Sequence, residues 1–260
     1  MKRILLINPN ISASVSELID AEAKRSASAG TRIQTVTASF GVAYIETRFE
    51  ALIGAYAAAQ LAGEHAGHYD AVVVAAFGDP GLPGLKEVLP CPVVGLTQAA
   101  LASACLLGNR ISIVAISRRI RAWYQETVDS YGLGSRLVSI RSLDEPLPNI
   151  GSIQQDKAES LIATANLCVS EDGADVIILA GAPLAGLARS LSGKLPVPVV
   201  DGVSSAVRHA ETLIRLNAGQ TTTGSFSPPP EKPNAGLPAS IETLLSHGHQ
   251  RLHSHSKDAS

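Results

Sequence analysis

One stretch that occurs twice is the strongest constraint on the fold of this chain. Residues 70–81 have the sequence DAVVVAAFGDPG and residues 175–186 have the sequence DVIILAGAPLAG, and the two align without a gap. In each copy a run of uncharged aliphatic residues predicts a strand buried on both faces, and Gly and Pro then end it. Such strands form parallel sheets covered by helices, which bind ligands at the strand ends.

The segments that follow the two copies repeat the same order of predicted elements. Each strand is followed by a short helix, a second strand and a longer helix, so the repeats extend over roughly 69–107 and 174–216. Strands alternate with helices throughout 1–217, which is typical of parallel sheets with right-handed crossovers. We therefore predict an α/β fold of two pseudo-symmetric lobes with mainly parallel sheets flanked by helices. A ligand cleft is expected between the lobes.

The chain changes character after residue 217. Residues 218–245 are rich in Pro and predict an extension outside the sheets, with one short helix near 240–245. Residues 246–260 are polar and predict a disordered tail. Four histidines lie in that tail (His247, His249, His253 and His255), and a disordered tail predicts no specific metal site.

Charge, hydropathy and cysteine content exclude several classes of protein. A formal net charge of -2 gives no basic field for nucleic acid or anionic membranes. The apolar run Ile4–Ile7 is too short for a signal peptide or a membrane span. Three widely spaced cysteines (Cys91, Cys105 and Cys168) indicate reduced structural thiols rather than disulfides. We expect a cytoplasmic protein.

Polar residues next to the predicted strand ends are candidate ligand-binding groups. Asn8 and Asn10 follow the first strand, where amides can hold a carbonyl or carboxylate, although Asn-Pro-Asn is also an ordinary turn. Ser117 precedes a helix, and its hydroxyl can cap that helix or contribute to an anion site. Gln98 stands at a helix start, where its amide can donate to a ligand.

Taken together and in this order, several motifs resemble the aspartate/glutamate/hydantoin racemase family. The motifs are INPN at 7–10, Ile45-Glu46, FGDPG at 77–81, Ser117, GAPLAG at 181–186 and VDG at 200–202. The resemblance covers about 1–217. It implies a small carbon acid as substrate, no cofactor and no metal. It also implies two cysteines on opposite sides of the cleft, one removing the α-proton and the other returning one to the opposite face.

The chain departs from this family at both cysteine positions, which are occupied by Ala76 and Gly181. The internal repeat pairs these two residues independently of the family. A standard two-thiol mechanism is therefore not expected. Asp79 and Glu46 are the candidate replacement bases. Asp79 is also suited to cap the helix that begins at Leu82, and Glu46 is equally suited to a capping or solvated role. The remaining residues that the resemblance and their position at the strand ends place in the cleft are Phe77, Gly78, Gly181, Ala182 and Pro183.

The predicted function is that of a cofactor-independent racemase or isomerase with a non-cysteine site. Its ligand would be a small carboxylate, hydantoin, ureide or amino-acid-like carbon acid. Two alternatives remain: a lyase or ring hydrolase that uses the same anion-binding cleft, and a ligand-binding protein without turnover. Family analogy also makes a homo-oligomer possible.

Overall fold

The computed structural model describes residues 1–143, 151–217, 223–246 and 248. The first sheet is formed by β1 (Lys2–Asn8), β2 (Thr31–Thr37), β3 (Ala71–Val74) and β4 (Val93–Gly95). The helices that alternate with its strands are α1 (Ala13–Ser26), α2 (Arg48–Glu64), α3 (Leu82–Val88) and α4 (Leu96–Leu107).

The second sheet is formed by β5 (Ile111–Ala115), β6 (Leu137–Ser142), β7 (Val176–Leu179) and β8 (Val199–Asp201). Its helices are α5 (Arg121–Ser130), α6 (Ile153–Asp156), α7 (Ala158–Ser170), α8 (Leu187–Ser190) and α9 (Gly202–Leu216). All strand pairs are parallel, in the orders β2-β1-β3-β4 and β6-β5-β7-β8. The predicted fold class is confirmed, and the two aligned strands, β3 and β7, occupy the same place in their sheets.

Equivalent residues of the two aligned stretches make equivalent contacts. The Asp70 carboxylate accepts a hydrogen bond from the backbone N–H of Arg3 at 2.7 Å, and the Asp175 carboxylate accepts one from that of Arg110 at 2.8 Å. Each aspartate therefore joins the start of its strand to the start of the first strand of its sheet. These contacts favour the predicted internal repeat.

One apolar core runs through both lobes. It includes Leu6 and Val73 from the first sheet and Ile113 and Ile178 from the second. A separate cluster lies between the first sheet and helices α2 and α3, and it includes Leu244 from a helical segment at 239–246. The short helix predicted in the C-terminal extension therefore packs on the first lobe.

In two segments, 153–170 and 184–191, the sequence predicts one continuous helix, and the structure interrupts both. The helix expected over 153–170 is divided into α6 and α7 at Lys157, which has a non-helical backbone. The helix expected over 184–191 is a 3-10 turn at Ala182–Leu184 followed by α8. Gly186 separates them because its φ of +81° lies in the left-handed region and ends a right-handed turn.

Other predictions concern the thiols, the tail and membrane spans. The three cysteines are free thiols, and Cys168 is buried. Apart from Ser246 and Gly248, the tail predicted to be disordered lies outside the described residues, as do its four histidines. Among the described helices, none has both the length and the apolar character needed to span a membrane.

Candidate functional site

Ala76 and Gly181 leave their sheets at equivalent points. The residue before each one still belongs to the ladder: Ala75 donates its N–H to the carbonyl of Ile7 at 2.8 Å, and Ala180 donates to that of Val114 at 2.9 Å. Both positions therefore lie at the carboxyl ends of central parallel strands, where open α/β sheets bind ligands.

The backbone at Gly181 suits glycine and faces a tyrosine of the first lobe. Its φ is +116°, a conformation that residues with a Cβ rarely adopt. A Cβ added there would lie 3.6 Å from Pro183 Cδ and 4.0 Å from Tyr44 Oη, so the position has space for a small side chain. The loop between β2 and α2, which carries Tyr44, therefore reaches the second lobe.

Tyr44 is the residue that the sequence interpretation missed. Within the described part of the chain its phenolic oxygen is buried and makes no hydrogen bond of normal geometry. The phenol of Tyr124 is the polar group beside it. Burial raises the pKa of Tyr44 well above its ordinary value, and the neighbouring phenol of Tyr124 and carboxylate of Glu46 raise it further. The phenol therefore keeps its proton and can donate it in a hydrogen bond. Its place directly before the Ile45-Glu46 motif was the signal available in the sequence.

Glu46 lies in the same loop, at the start of α2. Its backbone N–H donates to Glu50 Oε2 at 2.8 Å, beside the capping box that Thr47 and Glu50 form. Burial raises the pKa of Tyr124, and the charges of Asp79 and Glu46 raise it further. Of the two predicted carboxylates, Glu46 is the one whose charge acts on Tyr44.

Asp79 has a different environment, at the start of α4. It is 5% exposed, and its two carboxylate oxygens accept hydrogen bonds from the backbone N–H groups of Thr97 and Gln98, both at 2.8 Å. The hydroxyl of Tyr131 donates to the same carboxylate at 2.7 Å. Burial nevertheless raises the pKa of Asp79. Asp79 therefore bonds the amides at the start of α4 and does not cap the helix at Leu82, whose start has no side-chain cap. Its engaged oxygens do not favour the role of a base.

The side chain of Gln98 is engaged by a lysine of α3. Its Oε1 accepts a hydrogen bond from Lys86 Nζ at 2.7 Å. Burial lowers the pKa of Lys86, and the charge of Asp79 opposes that shift. Gln98, Lys86 and Asp79 therefore form a polar group at the start of α4.

Phe77 and Gly78 join the first lobe to α5. The ring centroid of Phe77 lies 4.8 Å from that of Tyr124, and Phe77 is 3% exposed. Gly78 donates its N–H to Thr97 Oγ1 at 2.6 Å, and a Cβ at this position would overlap the ring of Trp123. Both residues pack the β3 loop against aromatic side chains, which shapes the cleft but leaves little of either residue open to a ligand.

Asn8 and Asn10 lie together where β1 ends. Asn8 is fully buried, and its Nδ2 donates to Asn10 Oδ1, Ser16 Oγ and the carbonyl of Ser12. Asn10 Oδ1 accepts the N–H of Ser12 at 2.9 Å. The Nδ2 group of Asn10 has no hydrogen-bond partner among the described residues, so Asn10 retains a donor for a ligand whereas Asn8 braces the loop.

The remaining predicted site residues lie in the second lobe. Ser117 Oγ accepts the N–H of Arg119 at 3.3 Å, so it caps the 3-10 turn before α5. Ala182 and Pro183 are buried. The side chain of Gln154 donates to the carbonyl of Pro183 at 2.9 Å and fixes this loop from α6. In the described ranges, no three His, Cys, Asp or Glu side chains are grouped so as to hold a metal ion.

Comparisons with known proteins agree over nearly the whole chain. The family model of Asp/Glu/Hydantoin racemase matches residues 4–210. A hydantoin racemase from Paenarthrobacter aurescens is 37% identical over 237 residues, which are 88% of this chain and 98% of that protein. A hydantoin racemase from Pseudomonas sp. (strain NS671) is 33% identical and covers 90% of this chain and 94% of its own. The solved structure of allantoin racemase from Klebsiella pneumoniae is 31% identical, with a TM-score of 0.88 over 93% of this chain and 99% of that one.

Proposed function

The chain belongs to the Asp/Glu/hydantoin racemase family, and we propose that it binds a cyclic ureide of the hydantoin or allantoin type between its two lobes. The full-length similarity to hydantoin racemases and to an allantoin racemase supports this ligand class. A cyclic ureide offers carbonyl oxygens as acceptors and an α-carbon whose proton is acidic. The cleft needs hydrogen-bond donors for those oxygens, because charge moves onto them when the α-proton is lost.

The observation that carries the proposal is the buried, unpartnered hydroxyl of Tyr44. A buried donor without a partner costs roughly 1–3 kcal/mol, so its presence calls for an explanation. A ligand oxygen supplies the missing acceptor. Tyr44 Oη lies 4.0 Å from where a Cβ of residue 181 would lie, and this closeness to a position where the resemblance implies a catalytic cysteine supports the proposed site.

Isomerisation of the ligand is a second candidate function, and Glu46 favours it. Ala76 and Gly181 carry no group that can transfer a proton, and the oxygens of Asp79 are occupied by two amides and a phenol. Burial raises the pKa values of Tyr44 and Tyr124; the charge of Glu46 raises both further, whereas that of Asp79 acts on Tyr124 only. We propose Glu46 as the base that removes the α-proton, with Tyr44 stabilising the resulting enolate.

Two measurements test these functions separately. Calorimetric titration with 5-methylhydantoin and allantoin is expected to show binding, and aspartate and glutamate serve as the comparison ligands. Absence of binding to both ureides would refute the proposed ligand class. Incubation in heavy water, followed by proton NMR of the α-position, then measures exchange.

The isomerase proposal predicts exchange that Glu46→Gln abolishes. The matched control is Glu17→Gln, since Glu17 is an exposed carboxylate on α1, and it is expected to leave exchange unchanged. Exchange that survives Glu46→Gln would exclude Glu46 as the base. Binding without exchange would identify a ligand-binding protein, and a ring-opened product would identify a hydrolase.

A further inference from the structure

A cavity of about 420 Å³ lies at the amino ends of the strands of the first sheet. Arg3 and Arg32, which line it, are the second residues of β1 and β2. The candidate ligand site lies at the opposite, carboxyl ends of the same strands. Five residues along β1 lead from Arg3 to Asn8, which is roughly 16 Å in an extended strand. This space, called the amino-end cavity below, is therefore distinct from the cleft between the lobes.

The amino-end cavity is surrounded by hydrogen-bond donors and by cationic side chains. Its polar lining consists of two arginines, two histidines, an amide and a phenol: Arg3, Arg32, Gln34, His65, His68 and Tyr69. Among the described residues that line it, none is acidic. A concave surface with one sign of charge concentrates ions of the opposite sign. The lining therefore favours an anionic ligand.

The two arginines lie side by side on neighbouring strands. Arg3 and Arg32 are register partners of the parallel pair β1–β2, so their side chains leave the same face of the sheet about 4.8 Å apart. Asp70 Oδ1 accepts a hydrogen bond from Arg3 Nη2 at 2.9 Å. Arg32 has no ion-pair partner in the part of the chain that the structure describes. One carboxylate thus faces two guanidinium groups, and a bound anion would balance the remaining positive charge.

The corresponding arginine of the second sheet is engaged by the backbone instead. Arg110 occupies the place of Arg3, because its N–H donates to the aspartate of the second aligned stretch. Its guanidinium donates to the carbonyl of Gly173 at 2.6 Å and to that of Asp172 at 2.7 Å. An arginine at this point of the fold can therefore be used entirely for structure. The first sheet departs from this arrangement by directing two arginines to a cavity.

Two histidines line the amino-end cavity where α2 ends. His65 Nδ1 lies 3.0 Å from the carbonyl oxygen of Leu61. Because a carbonyl only accepts, Nδ1 carries the proton and Nε2 is the nitrogen left for a second one. The negative end of the helix dipole favours a positive ring at this place, and an anion in the cavity would favour it further. His68 is exposed and three residues further along the chain. Both rings can therefore add donors to those of the arginines.

We propose that the amino-end cavity binds a phosphate monoester, with the phosphate group held between Arg3 and Arg32. Guanidinium groups match phosphate oxygens with two parallel hydrogen bonds, and a dianion balances two cations better than a single carboxylate does. The cavity is many times larger than the ~30 Å³ that one water molecule occupies, so an organic group fits beside the phosphate. The hydroxyl of Tyr69 already donates to the carbonyl of Ala62, which leaves its ring as a wall for that group. This site does not rest on the proposed function.

Calorimetric titration of the full chain with ribose 5-phosphate tests the site. Inorganic phosphate and succinate are the comparison ligands, and sodium chloride holds the ionic strength constant because salt screens exposed charges. Ribose 5-phosphate is expected to bind more tightly than either. Arg32→Gln is expected to weaken its binding roughly 10- to 100-fold, the effect of losing a charged hydrogen-bond donor. Arg215→Gln is the matched control, because Arg215 is an exposed arginine on α9, and it is expected to bind like the wild type. Circular dichroism establishes that each variant is folded.

Four results would overturn the proposed site. They are no binding of ribose 5-phosphate, equally tight binding of succinate, wild-type affinity in Arg32→Gln, and an equal loss in Arg215→Gln. Binding of inorganic phosphate alone would refute the monoester as the ligand.

A competition titration locates the phosphate site relative to the cleft. Saturating allantoin is expected to leave the affinity for ribose 5-phosphate unchanged. Competition between the two ligands would place the phosphate in the cleft and refute the amino-end cavity as its site. Failure of the protein to bind any ureide would instead refute the proposed function and leave this site standing.

Discussion

Replacing Tyr44 with Phe is expected to change stability and ligand affinity in opposite directions. The substitution removes one oxygen atom and keeps the ring. In the unliganded protein that oxygen is buried without a partner in the described chain. Its removal therefore relieves an unsatisfied polar group. In the complex, the same removal deletes a hydrogen bond to the ligand.

The two effects have calculable sizes. A buried donor without a partner costs roughly 1–3 kcal/mol, so Tyr44→Phe is expected to raise the free energy of unfolding by about that amount. In a protein of this size, each kcal/mol corresponds to a Tm increase of roughly 2–4 °C. A hydrogen bond to a neutral carbonyl contributes about 0.5–1.5 kcal/mol, so ureide affinity should fall roughly 3- to 10-fold. An anionic acceptor raises the loss to roughly 10- to 100-fold.

The assay combines thermal unfolding without ligand and calorimetric titration with a hydantoin. Tyr69→Phe is the matched control, because the hydroxyl of Tyr69 already donates to the carbonyl of Ala62 at 3.0 Å. Its removal should lower stability by roughly 1 kcal/mol and leave ligand affinity unchanged. A Tyr44→Phe variant that is less stable than the wild type and binds the ligand equally well would refute the reasoning.

Three further predictions concern pH, burial and the missing thiols. Burial raises the pKa of Asp79 above 3.8. The free energy of unfolding of the wild type should therefore fall as pH rises from 3.8 through the raised pKa. Denaturant titrations of Asp79→Asn should not show this fall. Burial opposes a charged Glu211, but hydrogen bonds from Thr31 at the start of β2 and from Ser28 outweigh it and lower its pKa. Glu211→Gln should therefore cost roughly 2–3 kcal/mol at neutral pH, and the loss should vanish as pH falls through the lowered pKa. Placing cysteines at both Ala76 and Gly181 should produce racemisation measurable by polarimetry. The side chain at residue 181, where φ is +116°, should lower the free energy of unfolding by roughly 1–3 kcal/mol. A folded double variant that binds a ureide without racemising it would contradict the assignment of the two family cysteines to these positions.

Much of the fold could be predicted because local sequence and packing agree. The strand at Ala71–Val74 is an aliphatic run ended by Gly and Pro, and its partner at Val176–Leu179 has the same form. Helix α1 begins where Ser12 can cap it. The interruption at Lys157 was not predictable, since no Gly or Pro marks it. Gly186 was visible in the sequence, but the sequence did not show that its backbone lies in the left-handed region and interrupts the helix there.

The candidate site was harder to predict because distant segments determine its chemistry. The sequence left Asp79 as a base or as a cap of the helix at Leu82, and its observed role depends on the amides of α4 and on the hydroxyl of Tyr131. Tyr44 gave no signal of burial, since its environment is created by a loop that reaches the second lobe near Gly181. Propensity and motif spacing carry no information on such contacts.

The position of Tyr44 relative to a bound ureide tests the central claim most directly. A crystal structure of the protein with 5-methylhydantoin or allantoin would measure the distance from Tyr44 Oη to the nearest ligand oxygen. The account predicts a hydrogen bond of about 2.7–2.8 Å in the cleft between the lobes. A ligand bound elsewhere, or one whose oxygens all lie beyond about 3.5 Å from Tyr44 Oη, would contradict it.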